Sequence, residues 1–236
     1  ARTPAECDRM IAAAELAQVP LFVAHVVRFF PEFALARQQV LSGAVGSPAA
    51  VRTRRGGPMP RAWNDWYSDF EKSGGCILDL IIHDFDWLRW TFGDVERVYA
   101  RGLTDSHLPT FDYALVTLRF RSGAIGHVEG TWAAPDGFKV TLEISGDTGL
   151  LEYNFNQPTG VPFKAALSGG DGPRAGVALP ESPTGNNPYQ LELAHFLDCL
   201  EKGVTPDITP QDGRAAVQIA LAALESIETG KPVTLS

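Results

Sequence analysis

Residues 74–87 read Gly74-Gly75-Cys76-Ile77-Leu78-Asp79-Leu80-Ile81-Ile82-His83-Asp84-Phe85-Asp86-Trp87. Apolar side chains on most sides predict one largely buried helix from Ile77 to Phe92. On that helix Asp79 and His83 would lie one turn apart on the same face, and Asp86 would extend the face by another turn. The two glycines before the helix would let its first turn approach another backbone or a ligand closely.

Three interpretations of Asp79 and His83 are open from the residues alone. A carboxylate and an imidazole four residues apart on a helix form an ordinary stabilising pair. They can also share a proton or hold one substrate hydroxyl, and burial favours such a task because buried ionisable groups are costly without partners. The third interpretation is a metal site with Asp79, His83 and Asp86 as ligands, although no second His or Cys has ligand spacing nearby.

Upstream of this stretch the sequence predicts a helix, a strand and a second helix. Thr3 suits the N-cap of a helix that starts at Pro4 and runs to about Ala17. The apolar run Leu21–Val26 predicts a buried parallel strand, and a helix followed by a strand is half of a βαβ unit. Pro31 begins the second helix.

Downstream, an alternation of period two predicts five strands joined by short turns, so this part of the sheet is expected to be antiparallel. They are Val95–Leu103, Asp112–Arg121, Ala124–Ala133, Lys139–Ser145 and Gly149–Phe155, after an earlier strand over 49–54. Residues 156–187 predict an irregular segment with one more strand near Phe163–Leu167. Two amphipathic helices, Tyr189–Glu201 and Pro210–Thr229, follow.

The composition is that of an ordinary globular protein and excludes several classes of partner. A formal charge of −8 over 236 residues argues against nucleic acid, because phosphate binding needs clustered cations. No apolar run is long enough to span a bilayer, so no membrane is expected. Three cysteines without paired spacing indicate a reducing, cytoplasmic compartment. One cationic group predicts either a solvated strand edge or a site for an anionic or polyhydroxylated ligand; its members are Arg52, Arg54, Arg55 and Arg61.

Several motifs together resemble the Gfo/Idh/MocA family, named for glucose-fructose oxidoreductase, inositol dehydrogenase and a rhizopine-catabolism protein. The first is Gly-Gly-x-x-x-Asp-x-x-x-His, followed by Asp86 and by Trp90-x-Phe-Gly. The others are Thr3-Pro4-Ala5-Glu6 to Ala17, Val23-Ala24-His25-Val26-Val27-Arg28-Phe29-x-Pro31, Leu41-x-Gly43-x-Val45-Gly46 and Gly230-Lys231-Pro232-Val233. Each motif is weak singly, but their order and spacing are similar to the family's along essentially the whole chain.

The resemblance implies an α+β fold: a large, open, mostly antiparallel sheet with helices packed on one face, preceded by a helix–strand remnant of a Rossmann domain. Residues 1–30 would be that remnant, and residues 31–236 a substrate-binding and oligomerisation domain. A homodimer or homotetramer through the open sheet is expected. The family's Gly-x-Gly-x-x-Gly and the Lys of its Glu-Lys-Pro motif would lie before residue 1, so this chain alone is expected neither to bind a dinucleotide properly nor to turn over.

The resemblance also implies an oxidoreductase that uses NAD or NADP and acts on a sugar, cyclic polyol or related hydroxy compound. His83 would exchange a proton with the carbinol oxygen, and Asp79 would orient His83 or hold a neighbouring hydroxyl. His25 and Arg28 would contact the cofactor. A core histidine on a buried strand is the alternative for His25.

A loop of aromatic and polar residues just before residues 74–87 suits stacking on and hydrogen bonding to sugars. Aromatic residues with a purely structural role would give the same pattern. The loop's predicted substrate-binding members are Arg61, Trp63, Trp66 and Tyr67. Tyr189 would contact the ligand or pack in the core. Two rival functions are a non-catalytic binding or oligomerisation module that uses the same sheet without a cofactor, and a metal-dependent hydrolase with metal at Asp79 and His83.

Overall fold

The computed structural model describes residues 1–103, 112–134, 137–154 and 187–235, so the strand predicted near Phe163–Leu167 lies outside the described residues. The helices are α1 (Pro4–Ala17), α2 (Pro31–Leu41), α3 (Phe70–Ser73), α4 (Gly75–Asp79), α5 (Ile82–Phe92), α6 (Pro188–Lys202) and α7 (Pro210–Thr229), with short 3-10 helices at Val26–Phe29 and Trp63–Asp65. The strands are β1 (Pro48–Gly56), β2 (Val95–Leu103), β3 (Tyr113–Phe120), β4 (Ile125–Thr131), β5 (Lys139–Gly146), β6 (Leu150–Asn154) and β7 (Val233–Thr234). None of the helices in these ranges combines the length and apolar character that a bilayer crossing needs.

The helices α1 and α7 start with the same local device, a capping box. The Thr3 hydroxyl accepts from the backbone N–H of Glu6, whose carboxylate accepts in return from the Thr3 N–H. Thr209 and Asp212 repeat the arrangement at α7. Such reciprocal caps satisfy N–H groups that have no partner within the helix. The predicted starts of both helices are confirmed.

The strands form one seven-stranded sheet in the order β6-β5-β1-β4-β3-β2-β7. The β1–β4 ladder is parallel, and the other five ladders are antiparallel. Along β3 the side chains alternate, because Ala114, Val116 and Leu118 are fully buried while Leu115 is 43% exposed. The buried face is covered by α7 at β2 and by α4 and α5 at β4. The predicted large, open, mostly antiparallel sheet with helices on one face is confirmed.

The strand predicted over Leu21–Val26 is wrong. This segment pairs with no described strand and runs into the 3-10 helix Val26–Phe29. Its apolar side chains contact helices instead of neighbouring strands; the Phe22 ring, for example, stacks on Phe196 of α6 with 4.5 Å between centroids. An apolar run indicates burial, but a run this short does not decide which backbone conformation is buried.

The single helix predicted from Ile77 to Phe92 is also wrong, because Leu80 and Ile81 separate α4 from α5. The N–H groups of both residues donate to the Cys76 carbonyl, at 3.0 and 2.8 Å, and this shared bond closes α4. The Ile81 side chain is fully buried, and a Cβ on Gly130 of β4 would lie 2.6 Å from its Cγ2 atom. The helix therefore breaks where it meets the sheet.

Candidate active site

The break between α4 and α5 places Asp79 and His83 on two separate helices. Asp79 ends α4, whereas His83 is the second residue of α5. They are therefore not one turn apart on a continuous helix face, and the described contacts include no hydrogen bond between their side chains. The interpretation of the two as an ordinary stabilising pair has no contact to support it.

The Asp79 carboxyl lies in a partly buried, acidic environment. Burial raises its pKa to about 6, and the negative charge of Asp112 contributes in the same direction. The hydroxyl of Tyr67, on the loop before α3, has a raised pKa because of burial and, secondarily, because of the charge of Asp79. The structure thus brings Tyr67 and Asp79, both predicted as site residues, into one neighbourhood.

His83 contacts a second predicted site residue, His25. Their rings meet edge to face, with 5.6 Å between centroids, and the Nδ1 atom of each ring is buried without a hydrogen-bond partner. Burial lowers the pKa of both imidazoles; for His83 the neighbouring His25 and the Arg55 guanidinium add to the effect. Both rings are therefore neutral at neutral pH, and each has an unused nitrogen.

The first turn of α5 is held by a buried ion pair that the sequence did not reveal. Arg55 Nε donates to Asp84 Oδ2 at 2.6 Å, and both side chains are at most 4% exposed. Asp84 directly follows His83, so the pair fixes the backbone that carries the imidazole. A buried ion pair in this position tolerates little movement, because separating the charges would leave each without compensation.

The other arginines of β1 point to the opposite face of the sheet. Arg52 and Arg54 pair with Glu143 and Glu129 across neighbouring strands. Because β1 lies between β5 and β4, the interpretation of these cations as a strand edge is wrong. They lie on a solvated sheet face, where opposite charges pair across strands.

Arg28, predicted to contact a cofactor, is engaged within the protein. Its Nε and Nη2 atoms donate to the two carboxylate oxygens of Asp86 at 2.7 and 2.6 Å, and Nη1 donates to the Asp207 carbonyl at 2.9 Å. Its cofactor role stays a prediction. The metal interpretation loses a ligand here, because both Asp86 oxygens are used. The described residues contain no group of three or more His, Cys, Asp or Glu placed to hold a metal ion.

The aromatic loop divides into an exposed part and a packed part. Arg61 is exposed and Trp63 is 87% exposed. Trp66 and Tyr67 meet edge to face at 5.1 Å, and the Tyr67 ring is 6.4 Å from that of Trp132 at the end of β4. Trp66 is still 39% exposed, and it is the Tyr67 hydroxyl that the charge of Asp79 affects.

Tyr189, in the first turn of α6, is partly buried and packs against the core, with its ring 6.4 Å from that of Phe30. One turn further on, Glu192 is 5% exposed and its Oε1 has no hydrogen-bond partner. Burial raises the pKa of Glu192 to about 7. Sequence reasoning missed Glu192, although a carboxylate between Leu191 and Leu193 on a helix is a visible signal.

Asp112 is a second residue that sequence reasoning treated only as the start of a strand. It is 8% exposed, its Oδ2 accepts from the Cys76 N–H at 2.5 Å, and its Oδ1 is buried without a partner. Burial raises its pKa. A charged residue at the start of the predicted strand was the available signal, but the residue it contacts is 36 positions away.

Residues 33–152 match the sequence profile of the GFO/IDH/MocA C-terminal domain. Myo-inositol 2-dehydrogenase of Thermotoga maritima is 31% identical over 237 aligned residues, covering 98% of this chain and 69% of that protein. The chain belongs to the Gfo/Idh/MocA family. A second relative in the family, the scyllo-inositol 2-dehydrogenase (NAD(+)) of Bacillus subtilis, is 29% identical over 88% of this chain, which spans 60% of that protein's length.

Solved structures of Gfo/Idh/MocA relatives have the same fold. A probable dehydrogenase from Thermotoga maritima superposes with a TM-score of 0.80 at 30% identity, over 99% of this chain and 71% of that one. GenD2 from gentamicin A biosynthesis, in complex with NAD, gives 0.82 at 26% identity, over 99% of this chain and 69% of that one. The resemblance inferred from the motifs is confirmed.

Proposed function

We propose that this chain is the substrate-binding part of an NAD(P)-dependent oxidoreductase that interconverts a hydroxyl and a carbonyl group on a sugar, cyclic polyol or related compound. The observation that carries the proposal is the contact between two neutral imidazoles, those of His25 and His83. The Asp79 carboxyl lies at the end of the preceding helix, α4. The names of the inositol dehydrogenase relatives support the class of substrate.

In this proposal His83 moves the proton. A neutral imidazole can accept the proton of a carbinol oxygen during oxidation and return it during reduction. Asp79, with a pKa of about 6, is mostly ionised at pH 7 and can accept a hydrogen bond from a neighbouring substrate hydroxyl. The nicotinamide, when bound, supplies or accepts the hydride. Arg55 and Asp84 keep the imidazole in place.

The unpartnered Nδ1 of His25 fits a nearby cofactor. It is buried and has no hydrogen-bond partner among the described residues, and such an atom is costly unless a ligand satisfies it. His25 therefore suits the wall of a nicotinamide pocket, next to His83. The dinucleotide phosphates would be held outside residues 1–236, as the family resemblance implies.

The packed part of the aromatic loop is the proposed sugar platform. Trp66 and Tyr67 combine ring faces with polar atoms, and the Tyr67 hydroxyl lies near Asp79. This combination suits polyhydroxylated ligands. Arg61, Trp63 and Tyr189 are proposed to contribute at the margin of the same site.

We also propose that the protein is a cytoplasmic homodimer or homotetramer. It would associate through the open face of the sheet, which is the face that carries Arg52 and Arg54. The three cysteines are unpaired, in keeping with a reducing compartment. The open face carries the exposed Leu115 and Ile125 beside the ion pairs of Arg52 and Arg54. This face would also serve the alternative function, a non-catalytic oligomerisation module.

The decisive experiment is His83→Ala in the intact protein, assayed with NAD⁺ and NADP⁺ against myo-inositol and a panel of aldoses. Loss of the proton-exchanging group should lower kcat by about 10²- to 10⁴-fold. The matched control is His127→Ala, on the open sheet face beside Thr117, which should keep full turnover. Unchanged turnover of His83→Ala would exclude the proposed chemistry.

A further inference from the structure

Asp112 is tied to the sheet on one side and to the Asp79 helix on the other. Its carbonyl accepts from the Trp132 N–H at 2.9 Å, which fixes its backbone at the end of β4. Its side-chain Oδ2 accepts from the Cys76 N–H at 2.5 Å, inside the first turn of α4. The carboxyl group therefore links the sheet to the helix that ends at Asp79.

The contact depends on the glycine before Cys76. Gly75 has φ +67°, in the left-handed region that favours glycine, and a Cβ there would lie 2.8 Å from Asp112 Oδ2 and 3.1 Å from the Phe70 ring. Only a residue without a side chain allows the carboxyl group to approach this turn so closely. Gly75, the second of the two glycines at the start of residues 74–87, thus leaves the space that the Asp112 carboxyl group occupies.

The second oxygen of Asp112 makes the contact unusual for a purely structural cap. Oδ1 is buried and has no hydrogen-bond partner, and leaving a buried carboxylate oxygen unsatisfied is unfavourable. An exposed Ser or Asp at a helix start would hold the same N–H without this cost. The buried carboxyl group of Asp112 therefore indicates a role beyond capping α4.

We propose that Asp112 is a positioning residue for Asp79: it holds the first turn of α4 through the Cys76 N–H and sets the electrostatic environment in which the Asp79 carboxyl ionises. The inference rests on the proposed function, since Asp79 matters only if it holds substrate. The negative charge of Asp112 acts on the carboxyl group of Asp79. The other titratable groups that face them are the Cys76 thiol and the Tyr67 hydroxyl.

The charge of Asp112 determines the direction in which its replacement should move the pKa of Asp79. The negative charge of Asp112 disfavours ionisation of Asp79 and, together with burial, raises its pKa to about 6. Asp112→Asn removes that charge but keeps an oxygen able to accept the Cys76 N–H. The midpoint of Asp79 ionisation should then move to lower pH. Asp112→Ala removes the hydrogen bond as well, so α4 should lose its position.

The test uses the intact protein and a readout that needs no cofactor. Carboxyl ¹³C NMR titration should give a lower midpoint for Asp79 in Asp112→Asn than in the wild type. In steady-state assays the acid limb of kcat/KM should move in the same direction, and Asp112→Ala should lower kcat on the order of 10- to 100-fold through misplacement of Asp79. Asp94→Asn, at an exposed position paired with Arg89, is the matched control and should change neither.

An unchanged Asp79 midpoint in folded Asp112→Asn would overturn the inference. The asparagine variant decides the question even where Asp112→Ala does not fold. Failure of the proposed function is seen separately, as unaltered turnover of His83→Ala. A shifted Asp79 midpoint together with active His83→Ala would leave the electrostatic coupling in place and remove only its catalytic meaning.

Discussion

Two arginines on the same strand illustrate how burial decides the energy of an ion pair. Arg55 and Asp84 are at most 4% exposed, whereas Arg52 and Glu143 are 63% and 32% exposed. Arg55→Ala should lower the free energy of unfolding by about 3–5 kcal/mol, because it leaves a buried carboxylate uncompensated. Arg52→Ala should cost about 0–1 kcal/mol, since water screens that pair. Urea unfolding at pH 7 measures both, and equal losses would contradict this account.

At the residue scale, the sequence pointed to candidate residues but not to the contacts around them. Asp79 and His83 could be proposed from residue type, spacing and family resemblance. The partners that tune them could not, because Arg55 and Asp112 reach the site across the sheet. No local pattern records that residue 112 contacts residue 76, or that Arg55 of β1 pairs with Asp84 of α5.

Helices and strands whose sequence signals are local were predicted correctly, and those set by distant parts of the chain were not. Capping boxes depend on residues three positions apart, and α1 and α7 begin where those boxes place them. The alternation of buried and exposed residues located β2 through β6. The strand predicted over Leu21–Val26 and the continuous helix over 77–92 failed because helices and sheet from elsewhere in the chain decide those conformations.

The break between α4 and α5 offers a test at the scale of elements. Gly130→Ala places a methyl group 2.6 Å from Ile81 Cγ2 and should cost about 1–3 kcal/mol by overpacking. The cost should largely disappear in an Ile81→Ala background, where the new methyl enters the space left by isoleucine. Gly126→Ala, on the same strand but 3.1 Å from the Phe120 ring, is the milder control.

Free energies of unfolding for the two single variants and the double variant complete the cycle. A coupling of the two substitutions is expected because the residues are in contact. Strictly additive losses would mean that Gly130 is not what holds Ile81 between the two helices.

At the scale of the whole molecule, the two faces of the sheet carry different kinds of side chain. The core face carries Arg55 and the helices of the candidate site. The open face carries paired charges and exposed apolar side chains, among them Leu103, Leu115, Ile125 and Leu150. The first strand, β1, lies in the middle of the sheet, parallel to β4 and antiparallel to β5. The strands could be predicted from alternation. The position of β1 between β5 and β4 could not, because the sequence of a single strand does not indicate which strands it pairs with.

Association through the open face of the sheet can be tested by sedimentation. The intact protein should sediment as a dimer or tetramer at micromolar concentration, and Leu115→Arg should shift it toward monomer, because a cation would replace an apolar contact at the centre of the face. The new arginine would lie opposite Glu129, so an opposite-charge pair should preserve the fold. Leu41→Arg at the end of α2, at a position 60% exposed, should leave the sedimentation coefficient unchanged. A wild-type protein that sediments as a monomer would refute association through this sheet.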